Sequence, residues 1–220
     1  MLQVRDLTVH YGGALALRDV HVEVPEGRCV AVLGRNGAGK TTLLRAISGL
    51  VAPSAGEVRW NGRRLGPHPA RLAAAGLRFV PESGNTFPDL TVAENLRTGA
   101  PWLTPAVLRE RVEQVLAELP ILRRLWDRRA GLLSGGERQA LAVGRALVGR
   151  PSLLLVDEPS LGLAPAMATE MLRVLRRVTK RDGVTVLLAE QKVELATEVA
   201  DHVVYLDAGR IGDRQTIDGP

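Results

Sequence analysis

Aromatic residues are scarce: Phe, Trp and Tyr together make up 3% of the 220 residues. So few rings leave little to stack on bases, which argues against a dedicated nucleic-acid surface. A single cysteine, Cys29, excludes an internal disulfide. It lies in the apolar run CVAVLG and reads as a small buried hydrophobe. No apolar run approaches the roughly 18–20 residues of a membrane span. The amino terminus, MLQVRDLTVHY, alternates apolar and polar residues from the start, as a strand does and a signal peptide does not, so a cytoplasmic location is expected. Internal repeats, low-complexity tracts and long linkers are missing as well. Charge of one sign does not dominate: 29 Lys and Arg stand against 24 Asp and Glu, a formal net charge of +5. The basic residues are scattered and read as solvated faces. The run LRRVTKRDG (175–183) reads as arginines complementing a helix C-terminus.

What is present is an ordinary globular balance, 45% apolar and 24% charged, long enough for one sizeable core and a small subdomain. Leu2/Val4, Leu7/Val9/Tyr11 and Val20/Val22/Val24 alternate as half-buried strands do. In RWNGRR, Asn61-Gly62 marks a hairpin turn, where both residues tolerate positive φ. CVAVL (29–33), LLLV (153–156) and VTVLLA (184–189) are nearly continuous apolar runs, expected of strands buried on both faces of a parallel sheet. Each run ends in a polar or glycine-rich switch, so chemistry is expected at the C-terminal ends of these strands. Residues 85–132 read as a helical insertion. Thr91-x-x-Glu94 is a capping-box pattern, and Thr104-Pro105 starts a second helix with apolar positions Leu108, Val112, Val115, Leu116 and Leu119.

Three stretches carry chemistry. GRNGAGKT (34–41) fits G-x-x-x-x-G-K-[ST], directly after an apolar strand and before the helical TTLLRAISGL. Its glycines let backbone N–H groups close on an anion, and the helix N-terminus adds positive potential. Lys40 is expected on β- and γ-phosphates and the Thr41 hydroxyl on Mg²⁺. LLLVDEP ends a buried strand in Asp157 and Glu158. Beside a phosphate loop, Asp157 is expected to hold Mg²⁺ and Glu158 to polarise an attacking water, whereas alone the pair would read as solvated acids. LSGGERQAL (133–141) places Ser134, Gly135 and Gly136 at the start of a helix with apolar positions Ala140, Val143, Gly144 and Leu147. It reads either as an ordinary serine-capped helix or as a second anion-binding turn. One triphosphate already has its cradle. A second turn would therefore serve a nucleotide held by another chain facing it head to tail.

LSGGE, in this order with the phosphate loop and LLLVDEP, resembles the signature of ATP-binding cassette (ABC) ATPases, over essentially the whole chain. The resemblance implies an α/β fold: a RecA-like P-loop NTPase core (about 1–84 and 133–220), an N-terminal antiparallel β subdomain and an inserted α-helical subdomain (about 85–132), all in one ABC ATPase domain. It further implies ATP and Mg as cofactors. ATP-binding residues are Tyr11, on adenine or else packed in the core, and Gly34, Arg35, Asn36, Gly37, Ala38, Gly39, Lys40, Thr41 and Thr42. Ser134, Gly135, Gly136 and Glu137 would reach the partner's ATP. Thr41, Asp157 and Glu82 would serve the metal, with Glu158, Gln191 and Lys40 as catalytic residues. PSLGLAP (159–165) resembles the loop that contacts the partner. Two positions depart from the common family pattern: Glu82 stands where glutamine is usual and Gln191 where histidine is usual. The set of motifs resembles the shorter ATPase subunit of branched-chain amino-acid importers, with urea or amide importers similar. Such a subunit would act on the cytoplasmic face of the membrane with a second ATPase subunit and two permeases. A solute-binding protein would act indirectly, and no nucleic acid is expected. The rival expectations are a non-transport ABC ATPase of DNA repair or translation, and a non-catalytic ATP-dependent clamp.

Overall fold

A computed structural model describes residues 1–216, and side chains through residue 212. Two sheets share one molecule. The larger has strand order β10-β9-β3-β8-β7-β6. In it β6 (Leu77–Val80), β7 (Leu153–Asp157), β8 (Thr185–Glu190), β3 (Cys29–Leu33) and β9 (His202–Asp207) run parallel, and β10 (Arg210–Thr216) is antiparallel to β9. Every residue of β3, β7 and β8 is buried, as their unbroken apolar runs require of strands covered on both faces. Strand β8 lies one residue later than its apolar run suggests and takes in Glu190, an acid the run itself excludes.

The smaller antiparallel sheet has order β2-β1-β4-β5, formed by β1 (Leu2–Tyr11), β2 (Ala14–Val24), β4 (Ala55–Trp60) and β5 (Arg63–Arg64). It is not contiguous in sequence, because β3 and helix α1 (Lys40–Ile47) intervene between its two halves. Asn61 and Gly62, with φ of 48° and 76°, make the β4–β5 turn. One core lies between the two sheets and α1, from Leu7 and Val22 through Leu43 and Ile47 to Leu155 and Leu187.

The other face of the parallel sheet carries a second core under α6 (Gly135–Val148) and α7 (Pro165–Asp182), with α8 (Val193–Thr197) at its edge. The short α2 (Pro69–Ala74) precedes β6. Residues 85–132 hold α3 (Val92–Arg97), α4 (Pro105–Glu118), α5 (Pro120–Arg124) and a short 3₁₀ turn. Thr91 and Glu94 form both halves of a capping box on α3. Val112, Val115, Leu116 and Leu119 bury the inner face of α4, and Leu108 packs at its margin. Gly144 of α6 allows this layer to close: a Cβ there would stand 2.9 Å from Leu122 and 3.2 Å from Val115.

The basic run at the end of α7 does more than the sequence suggests. Lys180 donates to Asp201 at 2.8 Å, and Arg177 and Arg181 both grip Glu118 at the end of α4. Burial alone would raise the Asp201 carboxyl, but Lys180, the Cys29 N–H and Arg28 hold it below the usual range. Cys29 is fully buried, and burial with the nearby Asp201 charge pushes its thiol up to about 12, so it stays an unreactive hydrophobe.

Candidate functional site

β3 runs out at Leu33, the chain loops through residues 34–39, and α1 begins at Lys40. Gly39 caps the helix at φ 108°, a conformation that L side chains rarely adopt. A Cβ there would also stand 2.8 Å from Leu17 and 3.1 Å from the Ala16 carbonyl. At Gly34 a side chain would collide with the Leu206 carbonyl, so this strand end accepts only glycine. Lys40 lies across the loop. Its Nζ donates to the carbonyls of Gly34 (2.8 Å) and Arg35 (3.2 Å) and pairs with Glu158 Oε1 at 3.0 Å, both side chains being buried.

Asp157 ends β7 with no exposed surface, and neither carboxylate oxygen has a hydrogen-bond partner among the described residues. Burial pushes its carboxyl up to about 6. The facing Thr41 hydroxyl draws it down, the charges of Glu158 and Glu82 add to the rise, and Arg45 opposes them. A buried acid with two idle oxygens beside a threonine hydroxyl suits a hard cation with oxygen ligands. Among the described residues no group of three or more His, Cys, Asp or Glu would hold a metal alone. Glu158 follows at φ 44°, a strained setting for a glutamate. Its N–H is anchored to the Ala189 carbonyl at 2.9 Å.

Lys40, Thr41 and Glu158 open onto a cavity of about 530 Å³, which the fully buried Asp157 adjoins through Glu158 without lining it. Of the residues singled out in the sequence, Tyr11, Asn36, Gly37, Gly39, Lys40, Thr41, Thr42, Glu82 and Glu158 line it. Tyr11 is 43% exposed at the rim and takes no part in the core. Gly34, Arg35 and Ala38 shape the loop without lining the cavity, and Gln191 is exposed just beyond β8 and does not line it. Leu161, from the PSLGLAP stretch, lines it too, as do Leu15, Ala16, Ala208 and Gly209, which carry no local motif. Only folding brings the β9–β10 turn there, where Gly209 exchanges hydrogen bonds with Ala38 and Arg18.

Ser134, Gly135, Gly136 and Glu137 also stand away from that lining. The Ser134 hydroxyl accepts from the Glu137 N–H while the Glu137 carboxylate accepts from the Ser134 N–H, a complete capping box on α6. Ser134 and Gly135 are exposed, and a Cβ on Gly135 would meet nothing within 4 Å. Gly136 packs directly against Met167 of α7. The sequence reading missed Glu190. It is 1% exposed and receives the N–H groups of Ser160 and Gln191 at 3.1 and 3.0 Å. An acid closing an apolar run, the cue that flagged Asp157, was its only signal.

Comparison with known proteins places the chain that carries this loop, acid pair and detached helix tip. Residues 17–161 match the ABC transporter family model. The chain is 40% identical over 212 residues to the high-affinity branched-chain amino acid transport ATP-binding protein BraG of Pseudomonas aeruginosa, covering 96% of this chain and 91% of that one. It is 35% identical, over 96% and 90%, to the probable branched-chain amino acid transport ATP-binding protein LivF of Archaeoglobus fulgidus. Among solved structures, a dimeric ATP-binding cassette in a post-hydrolysis state bound to ADP and Pi superposes with a TM-score of 0.89 at 25% identity, over 100% of both chains. By sequence and by fold, the chain belongs to the ABC transporter family, as an ATP-binding cassette.

Proposed function

We propose that this chain is the ATP-hydrolysing subunit that powers an ABC importer, and that the importer carries branched-chain amino acids. The buried Lys40–Glu158 pair, set beside the partnerless Asp157 in a cavity walled by the phosphate loop, carries the ATPase reading. The likeness to BraG and LivF over nearly the whole chain carries the solute class.

In this reading ATP enters the 530 Å³ cavity with its adenine against Tyr11 and its phosphates along residues 34–42. Lys40 turns from the Gly34 and Arg35 carbonyls to the β- and γ-phosphates. Thr41, Asp157 and Glu82 are the residues that would hold magnesium, whose positive charge would offset the negative charge of the triphosphate. Glu158, freed from Lys40 by the phosphates, takes the proton of the attacking water. Gln191 donates its amide to the γ-phosphate without titrating near neutral pH.

The exposed Ser134–Gly135 tip does not line its own cavity, which supports a head-to-tail pair in which each tip covers the other chain's nucleotide. The importer assignment favours a second, non-identical cassette as the partner over a copy of this chain. Residues 85–132 are proposed to move as one helical unit and to carry closure to two permeases. In support, Phe87 and Trp102 are 50% and 60% exposed and border a cavity of about 300 Å³ beside the Glu82 loop. Arg145 and Arg78 stand over their rings at 5.0 and 4.9 Å. The chain would then sit on the cytoplasmic face of the membrane without crossing it. Among the described residues no helix is long and apolar enough to do so.

The test is ATP turnover of Glu158→Gln beside the parent. Loss of about 100-fold or more is expected of a removed general base. Equal rates would leave the chain a nucleotide-dependent clamp. Transport of leucine-type solutes by the reconstituted importer, against urea and short amides, checks the solute class.

A further inference from the structure

We propose that Glu190 is a positioning residue for ATP hydrolysis, whose buried carboxylate locks the loop after Glu158 to the turn that carries Gln191. The inference rests on the hydrolytic roles proposed for those two residues. Glu190 is the last residue of β8 and pairs in register with Leu33, the residue before the phosphate loop. On the other side β8 neighbours β7, where Asp157 pairs with Ala189 and the Glu158 N–H donates to the Ala189 carbonyl. Glu190 therefore stands where three strand ends of the site meet.

Its two oxygens serve different segments. Oε1 accepts the Ser160 N–H at 3.1 Å, in the loop whose next residue, Leu161, lines the nucleotide cavity. Oε2 accepts the N–H groups of Gln191 at 3.0 Å and Lys192 at 3.4 Å. The side chain is almost wholly buried, and among the described residues no ion pair involves it. A carboxylate held in the interior without a cation depends on such charge-assisted hydrogen bonds. A packing role would not need the charge. Acceptance at both ends does: glutamine keeps one acceptor oxygen and turns an NH₂ toward the other set of donors. The consequence is mechanical. The loop bearing Ser160 and Leu161 cannot shift without moving the backbone of Gln191, so contact by a partner on that loop reaches the γ-phosphate side of the site.

The full chain tests this with three readouts: affinity for a non-hydrolysable ATP analogue, turnover, and amide hydrogen exchange. In Glu190→Gln, analogue affinity is expected to stay within about twofold while turnover falls roughly tenfold, the scale of one weakened charged hydrogen bond. Exchange at Ser160 and Gln191 is expected to quicken together. Glu190→Asp keeps the charge but is too short to span both segments, so it should show the same split; it carries the test if the glutamine variant does not fold. Parent-like turnover in the folded variants, unchanged exchange at the two amides, or equal losses of affinity and turnover would each overturn the proposal. If Glu158→Gln also turns over like the parent, the hydrolytic reading has failed. If Glu158→Gln is slow and Glu190→Gln is not, only the lock has failed.

Discussion

At the scale of single residues, the site is a balance of buried charges. Lys40 and Glu158 neutralise one another at 3.0 Å with little exposure on either side. Lys40→Ala should abolish ATP binding and also strand a buried carboxylate, lowering stability by about 3 kcal/mol. Adding Glu158→Gln to it should restore much of that stability but no binding, which denaturant unfolding and nucleotide titration together will read. Asp157 is unbalanced in the opposite sense. Its folded carboxyl titrates near 6, above the ordinary 3.8, because burial disfavours the charge. Between those values the folded chain holds a proton that the unfolded chain has released, so stability falls as pH rises through that window. The cost levels off above it at no more than roughly 3 kcal/mol. Asp157→Asn, melted in the presence of a chelator, should therefore be several degrees more stable than the parent at pH 7 and indistinguishable from it near pH 4. A parent whose melting temperature is flat across that range would contradict this.

At the scale of elements, α6 organises the molecule. Its Ser134–Glu137 box fixes where the helix starts, Gly136 brings α7 against its tip, and Gly144 brings residues 96, 115 and 122 against its flank. Gly144→Leu should push that helical layer away and cost about 3 kcal/mol, seen as an earlier denaturant midpoint. The Thr91–Glu94 box was legible in the sequence because a cap is closed by residues three apart. At Ser134 the sequence offered a serine cap as one of two readings, and only the structure showed Glu137 closing the box. The grip of Arg177 and Arg181 on Glu118 was not legible. Those partners lie about sixty residues apart, and the run read as solvated until the fold placed α4 beside α7.

At the scale of the whole molecule, the parallel sheet gathers every strand-end switch at one rim, which is why three separated motifs resolve into one cavity and one detached tip. If each tip completes the other chain's site, Glu158→Gln with ATP should elute as a dimer in size-exclusion chromatography when a competent partner cassette is present. The same mixture without ATP should elute as monomers. A variant that remains monomeric with ATP at high concentration would remove the shared-site model.

The sequence by itself determined the buried strands, the glycine-rich turn after β3, the acid pair and the Thr91–Glu94 cap. Each is written in neighbouring residues, through apolar periodicity or through spacings that local hydrogen bonds impose. The tertiary structure alone decided that Leu15, Ala16, Ala208 and Gly209 complete the cavity and that Asp157 is left without a partner. It alone turned Glu190 inward between two loops. Such contacts join residues far apart in the chain, and packing, rather than any local pattern, sets which backbone groups a buried carboxylate meets.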